Sequence, residues 1–538
     1  MKKSYLIIIF AVVLHLVFVF LFLSAIAFGI RSCHNSRNDD KGKYTRDIIT
    51  IENGMKLEYL SKTNSYSLYS RGECEETEIV IPSTYNDLPI TSIGSYAFSG
   101  YEALTHITIP STVTHIYASA FARCHGLTEV ELPESLTYMG EDAFRSCESL
   151  TTVFLSESLT HIGGGAFSRC DNLQFNIYDN AKYLGSENNP YLALIIAVST
   201  EITECVINPN TKILSEGNYF GGAFQECKKL TNITVPDSVT NIGRHAFEHC
   251  ISLKEVTIGN GVKEIEEGTF ENCSSLVSIT LPDGITRIGD DAFKECVSLE
   301  TFNFPKNLET IGDCAFENCV ELKSIYLYEN VVDVDADSFK NCSGLESITV
   351  SEGNSKYKSI DNCLLTDGAN GMLLILGCKN SVIPEGVTAI FRAAFYCCKD
   401  LTNITLPSSL EYIDSYAFYE CSGLTSVKIQ GNVGVIDEYA FYGCSALTEI
   451  LFSDGLTKIG ERCFDGCVAL EMVVLPVSVT HIEVCAFDNC DNLIIIYRGT
   501  VKQWNSIKKG HRGFFDSSKY TGKYTVRCTD GEIEEPSE

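Results

Sequence analysis

Twenty-four cysteines and ten histidines are the residues of this 538-residue chain best suited to chemistry, and their spacing limits what that chemistry can be. Fourteen cysteines, at 124, 147, 170, 227, 250, 273, 296, 319, 342, 398, 421, 444, 467 and 490, each follow a phenylalanine by three residues. So many thiols would ordinarily suggest disulfides in an oxidising compartment. Side chains stacked at a rung spacing of about 4.8 Å point the same way, however, whereas a disulfide needs Cβ atoms about 3.8 Å apart. The fourteen therefore read as a buried ladder of small apolar residues. The remaining ten (33, 74, 205, 314, 363, 378, 397, 463, 485, 528) follow no period, and Cys363 with Cys378, flanking a hairpin through Asp367-Gly368, is the pair to test for a bridge.

His245 and His249 have the i, i+4 spacing of metal ligands on a helix, but they flank Phe247 in a short corner with no third ligand in view. His115 and His161 hold equivalent places two repeats apart, about 10 Å at the rung spacing, which is too far for one metal. The sequence contains no glycine-rich phosphate loop, nucleophile elbow or His-Glu-x-x-His pattern. Scattered carboxylates are the expected solvated face of an acidic chain. The reading is of a protein without catalytic residues, cofactor or metal.

Surface chemistry is more informative. Outward strand positions are mostly polar (Thr108, Glu131, Thr234, Thr280, Thr349, Thr405), with Phe154, Tyr326, Leu451, Met472 and Val474 as exceptions. The last three fall on neighbouring repeats and make an apolar patch of the kind that marks interaction sites, unless the carboxyl-terminal cap folds over them. With 41 Lys and Arg against 70 Asp and Glu the net charge is −29, which excludes nucleic acid as a main partner because phosphate binding relies on Lys and Arg.

The element that must position these residues is a repeat. Phe recurs every 23 residues at 98 to 167, at 224 to 339 and at 395 to 487, giving fifteen regular units separated by gaps of 57 and 56. Each unit carries Leu-x-x-Val-x-Ile after its Cys, as in Leu253, Val256 and Ile258, the alternation of one short half-buried strand. A Pro such as Pro110, Pro236 or Pro407 then turns the chain, and a second apolar pair is often followed by a Gly, expected to allow a tight corner. One coil cannot bury its apolar side alone, but stacked coils share a core, so 15 to 19 of them predict a solenoid on the order of 70 to 90 Å long.

Residues 1–4 form a basic head and 5–30 a run long enough to cross a bilayer as an uncleaved signal-anchor, followed by a polar stalk at 31–50. Lys2 and Lys3 favour an internal amino terminus, whereas Arg31, Arg37, Lys41, Lys43 and Arg46 pull the opposite way. An amino-terminal cap is expected at 51–93 and the solenoid at 94–493, with interruptions near 176–214 and 351–383 that could project as recognition loops. A carboxyl-terminal cap plugged by Trp504, with an acidic tail, fills 494–538.

The unit Ala120-Phe121-Ala122-Arg123-Cys124 through Leu132-Pro133, the lead-in from Ile79 to Gly94 and the closing Tyr497-Arg498-Gly499-Thr500 with Gln503-Trp504 resemble the BspA-like leucine-rich-repeat proteins, surface proteins of bacteria and protists. The resemblance spans roughly residues 51–530 and implies a leucine-rich-repeat fold and a surface role in adhesion. Asn176 in place of an apolar strand residue, Tyr101 in place of Cys, and the unit around Asp333 and Asp335, which lacks the Gly, depart from the pattern. The resulting expectation is a non-enzymatic, membrane-anchored, outward-facing solenoid that binds a protein or glycan. The alternative is an interaction scaffold of the same fold tethered to the cytoplasmic face.

Overall fold

The computed structural model describes residues 47–490, 493–510 and 525–534. The expected head, the spanning run at 5–30 and the stalk as far as 46 lie outside them. Among the described residues no helix is long and apolar enough to cross a membrane.

The described chain is a leucine-rich-repeat solenoid with two parallel ladders, where one strand per coil was expected. The first ladder follows each Cys: Asn232–Val235, Glu255–Ile258 and Ser278–Thr280 pair in register one repeat apart, alternating exposed and buried residues. The second is made by the last residue of the second apolar pair and the polar residue before it, as in Glu264–Ile265, Arg287–Ile288, Thr310–Ile311 and Asp333–Val334. Two residues per rung are too few to carry a period-2 signal, so only the buried Ile of each pair was legible.

The third side of each coil is a turn around the repeat Phe. Successive rings stack with centroids 5.0 to 5.7 Å apart, as in Phe121–Phe144 and Phe144–Phe167, and are almost wholly buried. The amide of one Phe donates to the carbonyl before the next, for example Phe121 to Ala143 and Phe270 to Ala292. Twelve ladder cysteines extend this bonding: the thiol of Cys296 donates to the Phe270 carbonyl at 3.3 Å, and the rest match it. Cys227 and Cys398, the two without this bond, open blocks whose preceding coil has no Phe at that place. In the first unit the Tyr101 hydroxyl instead donates to the Glu76 carbonyl at 3.1 Å.

The glycine after the second apolar pair has a different cause from the one expected. Gly140, Gly163 and Gly289 do not adopt positive φ. A Cβ added to them would lie 2.7, 2.3 and 2.7 Å from backbone nitrogens of the coil before, so glycine here admits close stacking of coils.

Both interruptions fold into the solenoid instead of projecting as loops. Asn176–Tyr178, Ala181–Leu184 and Ala193–Ala197 form an antiparallel meander whose last strand pairs in parallel with Ile213–Leu214. Tyr357–Ile360, Cys363–Asp367 and Met372–Leu376 repeat the arrangement and join Val387–Ile390. The amino-terminal segment is built identically, with Ile48–Thr50, Lys56–Leu60 and Ser65–Ser70 leading into Leu88–Ile93. The solenoid is thus three blocks of coils, each opened by the same device and each with its own apolar core.

Candidate functional site

The five apolar residues singled out on the sheet face separate into two groups. Phe154 is 58% exposed beside the first block's strands, and Tyr326 is 44% exposed on the two-stranded sheet of Ser324–Leu327 and Ser347–Val350, its ring edge against Tyr328. Neither shares a sheet with the other three.

Leu451, Met472 and Val474 are brought together. Strand pairing places Leu451 beside Val474 and Val474 beside Ile496, while Met472 lies beside Ile494. The patch therefore contains Ile494 and Ile496, which the fixed period did not find. From Glu449 to its partner Met472 is 23 residues, but from Met472 to Ile494 is 22. One residue lost before the last strand turns Ile494 and Ile496 outward and buries Ile495 and Tyr497, because a one-residue slip exchanges the faces of a strand. The irregular run after Leu493 was the available signal.

Polar residues rim the patch. Lys428 and Glu449 flank it on one side, and on the other Thr525 and Arg527 pair with Ile494 and Ile496, Arg527 holding Glu532 at 3.6 Å. The described part of the carboxyl-terminal cap, Thr525–Cys528 and Gly531–Glu534, continues the sheet edge to edge rather than folding over it. The short helix Val501–Trp504, closed by a capping box of Thr500 and Gln503, buries Trp504 against Tyr497. An apolar centre with a charged rim is the anatomy of a protein-binding face.

The histidines and irregular cysteines behave otherwise. His245 and His249 share one carboxylate: Glu248 lies 3.6 Å from each, and Glu271 of the next coil lies 3.8 Å from His245. The equivalent cluster of Asp291, Cys314 and Glu317 is neutralised by Lys294 and Lys340. His115 and His161 are separated by the ring of Tyr138, stacked on both at 5.6 and 4.4 Å. His161 contacts Glu216 at 3.5 Å, and burial acts on both: it holds the imidazole down to about 4 and pushes the carboxyl up to about 7. Cys363 and Cys378, the pair to test for a bridge, are both free thiols; their sulfurs contact carbonyls of Val382 and Asn362.

A family model described as BspA type leucine-rich-repeat region, in six copies, matches residues 63–189, 217–346, 274–366 and 376–494. The chain belongs to this family. Among solved structures, the BspA-type solenoid is similar to a leucine-rich cell surface protein from Faecalibacterium prausnitzii, at 27% identity over 86% of this chain and 97% of that one, with a TM-score of 0.44. A leucine-rich-repeat protein from Eubacterium ventriosum matches at 23% over 55% and 85%, with a TM-score of 0.43. The pneumococcal vaccine antigen PcpA matches at 16% over 87% and 98%, with a TM-score of 0.31. No curated protein matches the chain. The sheet-face patch is where outward positions of neighbouring coils depart together from a polar ladder.

Proposed function

We propose that the protein is a non-enzymatic recognition protein held at the membrane by residues 5–30, with its repeats outside the cell, and that it binds a protein partner through the patch of Leu451, Met472, Val474, Ile494 and Ile496. The patch carries this reading: it is contiguous, lies on a face otherwise solvated, and has a charged rim. A glycan partner fits it less well, since no polar side chain converges at its centre. Leu451→Asp combined with Val474→Asp tests it. Beads coated with residues 47–538 should adhere to the target cell surface, and the double variant, folded by circular dichroism, should lose that adhesion about tenfold, as loss of a central anchor does. Undiminished adhesion would reject the patch.

A second reading, a scaffold on the cytoplasmic face, is favoured by the 23 described cysteines all being thiols. Protease treatment of intact cells separates the two. Digestion of the repeats places them outside, and protection until the membrane is opened places them inside.

A further inference from the structure

The Phe stack of the first block ends at Phe167, because the residue one period on is Pro190 and the next repeat Phe is Phe224. Beside the end of the stack lies a cavity of about 280 Å³ between the Phe167 turn and the first inserted meander, with Phe167, Phe175, Ile195 and Phe220 among its apolar walls. Phe220 is held there by Asn218, whose amide donates to Gly164 and Glu141 at 2.9 Å each while its oxygen accepts from the Phe220 amide at 2.8 Å. The volume equals that of about nine water molecules, enough for one pyranose ring.

Two cations line this cavity. Arg169 and Lys182 both line it, and neither makes an ion pair among the described residues, although the chain carries 29 more acidic than basic groups. Each instead rests on an aromatic wall, Arg169 with its guanidinium 5.7 Å from the Phe220 ring and Lys182 with its ammonium 5.6 Å from Phe175. Asp171 also lines the cavity without an ion-pair partner, so it does not neutralise them. Ser168 and Ser215 add hydroxyls, that of Ser215 donating to the Ile195 carbonyl and keeping its oxygen free to accept.

We infer that this cavity binds an acidic sugar, a pyranose bearing a carboxylate. Arg169 and Lys182 receive the carboxylate, Asp171 and the serines bond the ring hydroxyls, and the aromatic walls take the C–H faces. An aliphatic or aryl carboxylate would leave Asp171 facing an apolar body, and a neutral sugar would leave both cations unused. The cavity shares no residue with the sheet-face patch, so it stands or falls separately from the reading above.

Calorimetric titration of residues 47–538 with glucuronate and galacturonate, and with glucose as neutral control, tests the inference. One uronate should bind at one site, glucose at least tenfold more weakly. Arg169→Met and Lys182→Met should each weaken the uronate about tenfold, and Ser168→Phe, which fills the mouth, should abolish binding with the thermal midpoint retained. The methyl glycoside of the bound uronate separates two sources: undiminished binding identifies the terminal unit of a glycan chain, and loss of binding identifies the free sugar. No heat from either uronate at millimolar concentration, equal binding of glucose, or affinity unchanged in both methionine variants would overturn it.

Discussion

A cysteine in each coil does what neither alanine nor serine would do as well. Its side chain fills a small apolar space, and its thiol offers a second, weak proton to the buried carbonyl of the previous repeat Phe, which already accepts from a backbone amide of its own coil. Burial pushes the thiols of Cys124 and Cys170 up to about 12, and Cys296 and Cys342 higher still. The thiolate is the reactive form. In the folded protein at pH 8, therefore, iodoacetamide should spare the ladder and Cys314, whose thiol burial and acidic neighbours also push up, and should modify the partly exposed Cys528 first; mass spectrometry of the labelled peptides would show it, and early labelling of Cys296 would contradict it. The ladder was legible because its period is strict. The role of the thiol proton was not, since it depends on a carbonyl 26 residues away. Glu216 gives a second residue-scale test. Its carboxyl ionises near 4.5 in the unfolded chain and at about 7 when folded, so its contribution to stability falls as pH rises between these values. His161, held down to about 4, works oppositely, costing stability as pH falls below 6.5. Glu216→Gln removes only the first effect. The variant should match the parent near pH 4 and exceed it above pH 7 by up to about 3 kcal/mol in urea unfolding, the measure of a shift of this size. A constant difference across that range would show that burial of the charge is not the cause.

At the scale of the element, the coil is held by stacking more than by its strands. The first ladder gives up to four residues per rung and the second gives two, whereas every repeat Phe in a block contacts a ring above or below. Phe270 is fully buried between Phe247 and Phe293 at 5.2 and 5.4 Å. Phe270→Ala should cost about 3–5 kcal/mol, the range for emptying such a site, and the exposed Val277→Ala within the same coil close to nothing. Chemical denaturation of both variants decides; similar midpoints would mean that the coil collapses into the gap. The 23-residue period fixed Phe, Cys and the inward strand residues correctly because they touch their own equivalents. It failed where contact is with something else. The glycine at 140 or 163 answers to the backbone of the preceding coil, and Ile494 and Ile496 answer to a turn one residue shorter than the rest. The cavity beside Phe167 was hidden for the same reason, since its cations come from Arg169 in a regular coil and Lys182 in an interruption.

Across the whole solenoid, the interruptions act as walls between cores. In the second meander Leu364, Ile375 and Leu376 pack into the core of the middle block, whereas Cys363, Leu365 and Leu374 pack into that of the last. The first meander divides likewise, with Tyr183 and Leu194 on one side and Leu184 and Ile195 on the other. Strands buried on both faces read as unbroken apolar runs, and Ala193–Ala197 and Met372–Leu376 are such runs. The meander that opens the solenoid differs: Leu57 and Leu68 face its core, but Lys56, Glu58 and Ser70 stand partly exposed, as an end cap requires. An internal wall should therefore act as an apolar interface if it is made terminal. Residues 351–538 alone should fold, since their core is complete, and should self-associate through Leu364 and Ile375. Leu364→Ser with Ile375→Ser should make that fragment monomeric in analytical ultracentrifugation. The same pair in the full chain should destabilise the middle block by roughly 4 kcal/mol or more, because two buried side chains are truncated against an intact partner. Opposite signs in the two contexts are what a wall requires, and a fragment that is monomeric without substitution would show that the meander already closes its block as the first one does.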